Sequence, residues 1–421
     1  MTRAYRPAKT FVMFLLLHDP LITLTGVSLP AHALMAASML WFAIELVRLA
    51  TLERRVPWNG GRRTFLAILP LTVFGLLYCL LDGGDLSVRA QFLTTFILVP
   101  LIWCAFSQLA STGGSRRSVS QVILLYIAVE FGIMLLQISY FLFGIGIPPS
   151  ETYLFMIAGS QFNLNNLACM VLVLSIFYNA VSGETPRWQR VLFNVLVLAI
   201  LLITFSRLAI LLYIADRVRS LSLRRLGTVL AFAITVLCAG LLIANMDYTG
   251  NDTIDATLYK AKSLATIAEV GFEADTSTSG RSESYFNFAA KLGTLGFGST
   301  EILNYSRYTW DALFSDETLY INPHSMVIEI GYWMGWPGLI CLALLLTIYL
   351  RSELGSINNR AFLLITVLLA SSIPSSAIPL PTLWIGMLLL AMIGDYRSRC
   401  HRDDLLIAAH HTGAAPTPHL E

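Results

Sequence analysis

The feature that most constrains this chain is a succession of apolar stretches, most of them about 20 residues long, separated by short segments that hold most of the charge. A helix needs ~20 mostly apolar residues to cross a bilayer core. Stretches of that kind lie near 10–29, 31–50, 64–82, 90–110, 120–144, 163–181, 189–205, 207–216, 226–246, 321–350, 361–378 and 380–396. Only 13% of the residues are charged and 56% are hydrophobic, whereas a soluble domain is about a quarter charged. That much apolar surface cannot be hidden in one water-facing core, so lipid is the expected solvent. The expected fold class is an all-α polytopic membrane protein with about twelve transmembrane helices.

The seventh and eighth stretches are short for two full crossings, and the chain breaks between them at Thr204-Phe205-Ser206-Arg207. Either both helices are short and tilted, or the eighth continues amphipathically through Arg217 and Arg219. Basic residues set the orientation. With the N-terminus inside, every short cytoplasmic loop is basic. Of 28 Lys and Arg, seven fall elsewhere: Arg89, Arg207, Lys260, Lys262, Arg281, Lys291 and Arg307. Removing one span would reverse the downstream half and break this pattern, so Arg207 is expected at a reversal on the outer side. The chain then divides into helices 1–9 over 1–246, a long periplasmic loop over 247–320, helices 10–12 over 321–397 and a cytoplasmic tail over 398–421. Both termini are expected in the cytoplasm.

The outer loop is too long for a simple connector. Within it, 281–292 reads as an amphipathic helix with Tyr285, Phe286, Phe288, Ala289 and Leu292 on its apolar side, followed by the glycine-rich Gly293, Gly296 and Gly298. The basic N-terminus, apolar run and Ala31-His32-Ala33 imitate a signal peptide, but another apolar run follows at once, so this is expected to be a retained first helix. The six cysteines have no ligand-like spacing and read as small membrane-core side chains. A net charge of +2 gives no reason to expect a nucleic-acid partner.

Three polar residues stand out on the outer side. Arg207 sits at the end of an apolar hairpin, where an ionisable group is a functional candidate by default, although an arginine can equally snorkel to the interface. Arg281 follows Ser-Thr-Ser-Gly at the start of the amphipathic helix, where free N–H groups and a guanidinium suit an anion; a solvated loop arginine is the bland alternative. His324, where the chain re-enters the membrane, can move a proton near neutral pH, or simply cap a helix. His18-Asp19-Pro20, Glu45, Glu130 and Glu329 interrupt apolar stretches; they are expected to pair with each other or with backbone freed by Pro20, while a proton pathway through them would favour a transporter.

His324-Ser325 is followed by nine residues, Gly335, two residues and Gly338. This tract resembles the signature of the O-antigen ligase and polymerase superfamily of membrane glycosyltransferases. The order of the other features along most of the chain is similar too: Ser206-Arg207, Arg281, Gly296 and Gly298, then the histidine tract. Gly159 through Ala168, with Asn163, Asn165 and Asn166, also resembles a stretch of that family at the outer start of the sixth span; Ser325 stands where Asn is usual.

The resemblance implies transfer of a glycan from an undecaprenyl-pyrophosphate-linked donor at the periplasmic face of the bacterial inner membrane. It implies Arg207 and Arg281 on the donor pyrophosphate and His324 as the base that takes the acceptor's proton. Asn163, Tyr305, Arg307 and Trp310 are candidate sugar or acceptor contacts, against an interfacial aromatic belt. With no Asp-x-Asp in the outer loop, no metal or other cofactor is expected. The acceptor is either another lipid-linked repeat unit, as for a polysaccharide polymerase, toward which the Asn-rich stretch tilts the expectation slightly, or a lipid A-core, as for a ligase. A chain-length regulator is a further candidate partner. A lipid-linked sugar flippase or transporter is the alternative of a different class.

Overall fold

The computed structural model describes residues 5–51, 62–81, 86–110, 113–148, 157–161, 163–182, 185–220, 246–247, 285–298, 324–351 and 357–374, with single positions 250, 255, 258, 262, 380 and 384. The described residues are helical with no strand. The helices are α1 (Tyr5–Thr25), α2 (Ser28–Thr51), α3 (Arg62–Leu81), α4 (Leu86–Ala110), α5 (Gly113–Phe143), α6 (Leu164–Val181), α7 (Arg187–Thr204), α8 (Arg207–Ser220), α9 (Met326–Arg351) and α10 (Ile357–Ala370). Five contain segments long and apolar enough to cross a membrane: Arg6–Thr25, Ser28–Thr51, Arg117–Phe143, Arg187–Thr204 and Met326–Thr347. Shorter apolar segments occupy Ile68–Leu81, Phe92–Phe106 and Leu164–Asn179. The stretches near 226–246 and 380–396 and most of the 247–320 loop lie outside the described residues.

Side-chain exposure fits a protein surrounded by lipid. On α2, Leu40, Ile44 and Val47 are 61%, 58% and 61% exposed. Their i, i+4, i+7 spacing makes one apolar stripe facing outward. In water such a stripe would be an association site; in a bilayer it is ordinary.

The interior is rich in aromatic side chains, as expected for helices pulled together by packing. Trp333 of α9 is enclosed by Tyr78 and Phe92 edge-on and by Phe96 at a tilt, which ties α3, α4 and α9 together. α1 packs against α2, α4 and α5, and α6 packs against α5, α7, α8 and α10. Cys79, Cys104, Cys169 and Cys341 are buried free thiols, as expected of small core side chains.

Two ambiguous boundaries are resolved. α7 stops because Phe205 adopts a left-handed conformation (φ 48), its N–H donating to Leu202 O. α8 then runs through Arg217 and Arg219 to Ser220, so the amphipathic continuation is the one adopted. At 14 residues α8 is ~21 Å long, short of a ~30 Å hydrocarbon core. Arg217 donates to Asn179 Oδ1 at 2.7 Å and lies over the Tyr213 ring, so the polar end of α8 is anchored on α6. Pro20 does not interrupt α1, which continues to Thr25.

Contacts bring the end of α1 beside the start of α2, the ends of α1 and α5 beside the 159–161 turn that precedes α6, the end of α3 and the first half of α9 to the 296–298 turn, and the segment after α10 to His324. Since the ends of α6 and α8 meet at Asn179 and Arg217, the starts of α6 and α8 lie together too, and this side is the upper end of the bundle. The candidate site residues that are described lie there.

Candidate active site

His324 lies two residues before the first residue of α9 and has a left-handed backbone (φ 45), uncommon for a residue with a Cβ. It is held from three directions. Its Nδ1 lies 3.0 Å from Pro374 O. Tyr285 Oη donates to His324 O at 3.4 Å and lies 2.8 Å from Ser372 Oγ. Ser371 Oγ accepts the N–H of Met326 at 3.3 Å. A carbonyl oxygen only accepts, so Nδ1 carries the proton in that contact. In the neutral ring, Nε2 then has the lone pair. A base needs that tautomer fixed, and the turn after α10 fixes it.

Arg207 is the first residue of α8. The reversal at Phe205 turns the chain, and Ser206 O accepts the N–H of Ile210 at 3.0 Å. No acidic residue occupies the first turn of α8, so its N–H groups and the half-buried guanidinium present positive charge at the same end. α8 packs against α10, whose C-terminal turn supplies the partners of His324. Arg207 and His324 therefore belong to adjoining elements at the upper end. Asn163 caps α6, its Oδ1 accepting the N–H of Asn165 at 2.8 Å, which leaves Nδ2 as its group for any ligand contact. Arg281, Tyr305, Arg307 and Trp310 lie outside the described residues.

The glycines after His324 have a backbone purpose. Gly335 is non-helical (φ 60, ψ −151) and kinks α9, with Pro337 just beyond. Into the kink fits the turn Gly296-Phe297-Gly298. Trp336 N–H donates to Gly296 O at 3.0 Å, and Tyr78 Oη donates to Phe297 O. A Cβ on Gly335 would stand 2.3 Å from Gly298 N, and one on Gly298 would stand 2.5 Å from Gly335 N. The Gly-x-Gly and the distal glycine are thus two halves of one close backbone contact that fixes the 296–298 turn on the helix led by His324. Gly335→Ala is expected to lose this contact. The backbone at φ 60, ψ −151, a region essentially reserved to glycine, alone costs a residue with a Cβ about 1–3 kcal/mol, and thermal unfolding in detergent should show a lowered midpoint for Gly335→Ala beside a Gly293→Ala control, whose Cβ meets nothing within 4 Å.

The amphipathic helix needs a correction. Residues 285–291 are helical and continue into a 3₁₀ turn, Leu292–Thr294. The inward side is Phe288, Leu292 and Leu295, with Phe288 and Leu295 packed against Ile328. Phe286, 76% exposed, and Ala289 face outward rather than sharing that side. Phe288 reaches inward because Gly331 leaves it room: a Cβ there would meet Phe288 Cζ at 2.5 Å. The i, i+4, i+7 spacing of 288, 292 and 295 is the signal that separates the two sides.

Of the polar residues that interrupt the apolar stretches, His18 and Asp19 pair with each other at 2.7 Å, as expected, whereas two glutamates have other partners. Glu45 is chelated by Arg48 of its own helix at 2.9 and 2.6 Å. Glu130 is engaged by Ser160. Glu45→Gln should leave assembly intact, because an i, i+3 pair contributes about 0.2–0.5 kcal/mol; the monodisperse yield after extraction is the check. Among the described residues no group of three His, Cys, Asp or Glu converges to hold a metal ion.

Against known families, residues 192–343 match the model described as O-antigen ligase. That segment takes in Arg207, Arg281, the glycine turn, His324, Gly335 and Gly338. No curated protein matches the chain.

Proposed function

We propose that this chain, whose residues 192–343 match the O-antigen ligase family model, is a membrane glycosyltransferase of the ligase or polymerase type that transfers a glycan from an undecaprenyl-pyrophosphate-linked donor at the periplasmic face of the inner membrane. The observation that carries the chemistry is the Nδ1 contact of His324 with Pro374 O, which leaves Nε2 as the proton acceptor.

In the proposed step an acceptor hydroxyl loses its proton to His324 Nε2 as its oxygen bonds to the anomeric carbon of the donor sugar. The bond between that carbon and the pyrophosphate oxygen breaks, and its electron pair leaves with the lipid pyrophosphate. Arg207 and Arg281 stabilise the negative charge developing there, assisted by the N-terminus of α8. Guanidinium groups suit this role because their planar donors match two phosphate oxygens at once. Residues with that capacity make a bound metal unnecessary in the proposed reaction. Asn163, Tyr305, Arg307 and Trp310 are proposed to contact the sugars.

Of the two acceptors, a second lipid-linked unit is favoured slightly, on the resemblance of the Asn-rich stretch from Gly159 through Ala168 to one in that family. The experiment is reconstitution of the purified protein with lipid-linked glycan, in the presence of a chelator, offering either more lipid-linked glycan or a lipid A-core acceptor. Lengthened lipid-linked chains identify a polymerase. Consumption of the lipid A-core alone identifies a ligase and overturns the preference.

A further inference from the structure

Glu130 lies within the longest helix, α5, and is fully buried. A carboxylate in that position is expensive unless its oxygens are engaged. Both are engaged by Ser160, with the Tyr126 hydroxyl of the same helix as a further partner: Oε2 accepts the Ser160 backbone N–H at 2.9 Å, and Oε1 accepts the Ser160 hydroxyl. Two turns along α5, Gln137 brackets Gly159. Its Nε2 donates to Gly159 O at 2.8 Å and its Oε1 accepts the Gly159 N–H at 3.0 Å. From α1, Asp19 Oδ2 accepts Gln161 Nε2 at 3.1 Å. Three successive residues are therefore held by the side chains of two helices. Gly159 is left-handed (φ 63), and a Cβ there would stand 2.5 Å from Glu130 Oε2, so the carboxylate approaches this closely only because the residue is glycine.

The string continues from Asp19 Oδ1 to His18 Nδ1 at 2.7 Å and from His18 Nε2 to His32 Nδ1 at 2.8 Å. It could serve as a proton path or as a clamp. Gln161 decides between them. The same Nε2 donates to Asp19 and, at 3.4 Å, to Ser160 Oγ. An amide nitrogen that donates on both sides cannot relay a proton between them. The contacts are those of a clamp, and the clamped segment leads directly to Asn163 at the cap of α6.

We propose that Glu130 and Gln137 are positioning residues that hold the 159–161 turn so that the start of α6 forms a fixed wall for the saccharide part of the substrate. This rests on the transferase function proposed above. Loosening the clamp then weakens glycan binding without touching the reacting atoms, which raises KM and leaves kcat.

The test compares wild type, Glu130→Ala, Glu130→Gln and Gln137→Leu in proteoliposomes with purified lipid-linked glycan, together with hydrogen exchange over 157–163. Glutamine at 130 can still accept the Ser160 N–H through Oε1 while its Nε2 donates to Ser160 Oγ. Glu130→Gln should therefore retain the wild-type KM and slow exchange. Glu130→Ala loses both hydrogen bonds to Ser160 and should raise KM about tenfold, with faster exchange across the segment. If Glu130→Ala does not yield monodisperse protein, Gln137→Leu decides: a raised KM upholds the clamp and an unchanged one overturns it. Equal impairment of Glu130→Gln and Glu130→Ala would show that the charge matters and overturn the proposal, as would unchanged exchange in Glu130→Ala. Failure of wild type to transfer any glycan would instead overturn the transferase function, and with it the saccharide assignment, while exchange would still report on the clamp itself.

Discussion

Replacement of His324 by asparagine is expected to lower kcat for glycan transfer by about 10²- to 10⁴-fold, the usual contribution of a positioned general base, with little change in KM. Asparagine is the more informative substitution. The residue sits at φ 45, and asparagine tolerates that backbone better than alanine does. The turn can therefore persist while the base is lost. The amide Nδ2 can even donate to Pro374 O in place of the imidazole, but nothing then remains to accept the hydroxyl proton. Steady-state rates on purified lipid-linked glycan, with thermal unfolding as the control for folding, read the two effects separately. A variant that unfolds at the wild-type temperature and transfers glycan at the wild-type rate would remove His324 from the reaction.

The second large effect is expected at Arg207. Arg207→Ala should lower kcat by about 10²- to 10³-fold, comparable to removing one preorganised charge-stabilising donor. Arg207→Lys should recover only part of this, because an ammonium keeps the charge but not the planar pair of donors. The position at the first turn of α8 sharpens the expectation. Backbone N–H groups point to the same end, so alanine leaves some positive potential and the variant should be impaired rather than dead. Full activity in Arg207→Ala would make this residue an interfacial arginine only.

Much of this was readable in the sequence because it rests on one-dimensional signals. Apolar runs between basic turns mark α1 to α7, and the reversal before Arg207 was marked by charge bookkeeping across the membrane. The reason for the glycines was not readable. Gly296, Gly298 and Gly335 look like turn residues and a helix defect, yet together they form one contact between distant segments. The partners of His324 were hidden for the same reason: Pro374 O and Ser371 are ordinary loop groups until the end of α10 meets the start of α9. Glu130 was visible as an anomaly, but its partner was not, because Ser160 lies 30 positions away in a polar stretch with no charge to advertise it. Phe286 and Phe288 both read as part of one apolar side, and only the space left by Gly331 selects Phe288 as the one that packs inward while Phe286 stays exposed.

The central claim is that this protein transfers glycan rather than moving it across the membrane. The direct measurement is release of free undecaprenyl pyrophosphate in proteoliposomes supplied with purified lipid-linked glycan and acceptor on the His324 side. One molecule of lipid pyrophosphate is expected per glycan transferred, and with His324→Asn both should slow together by about 10²- to 10⁴-fold. Glycan that reaches the opposite leaflet still attached to its lipid, with no pyrophosphate released, would contradict the claim.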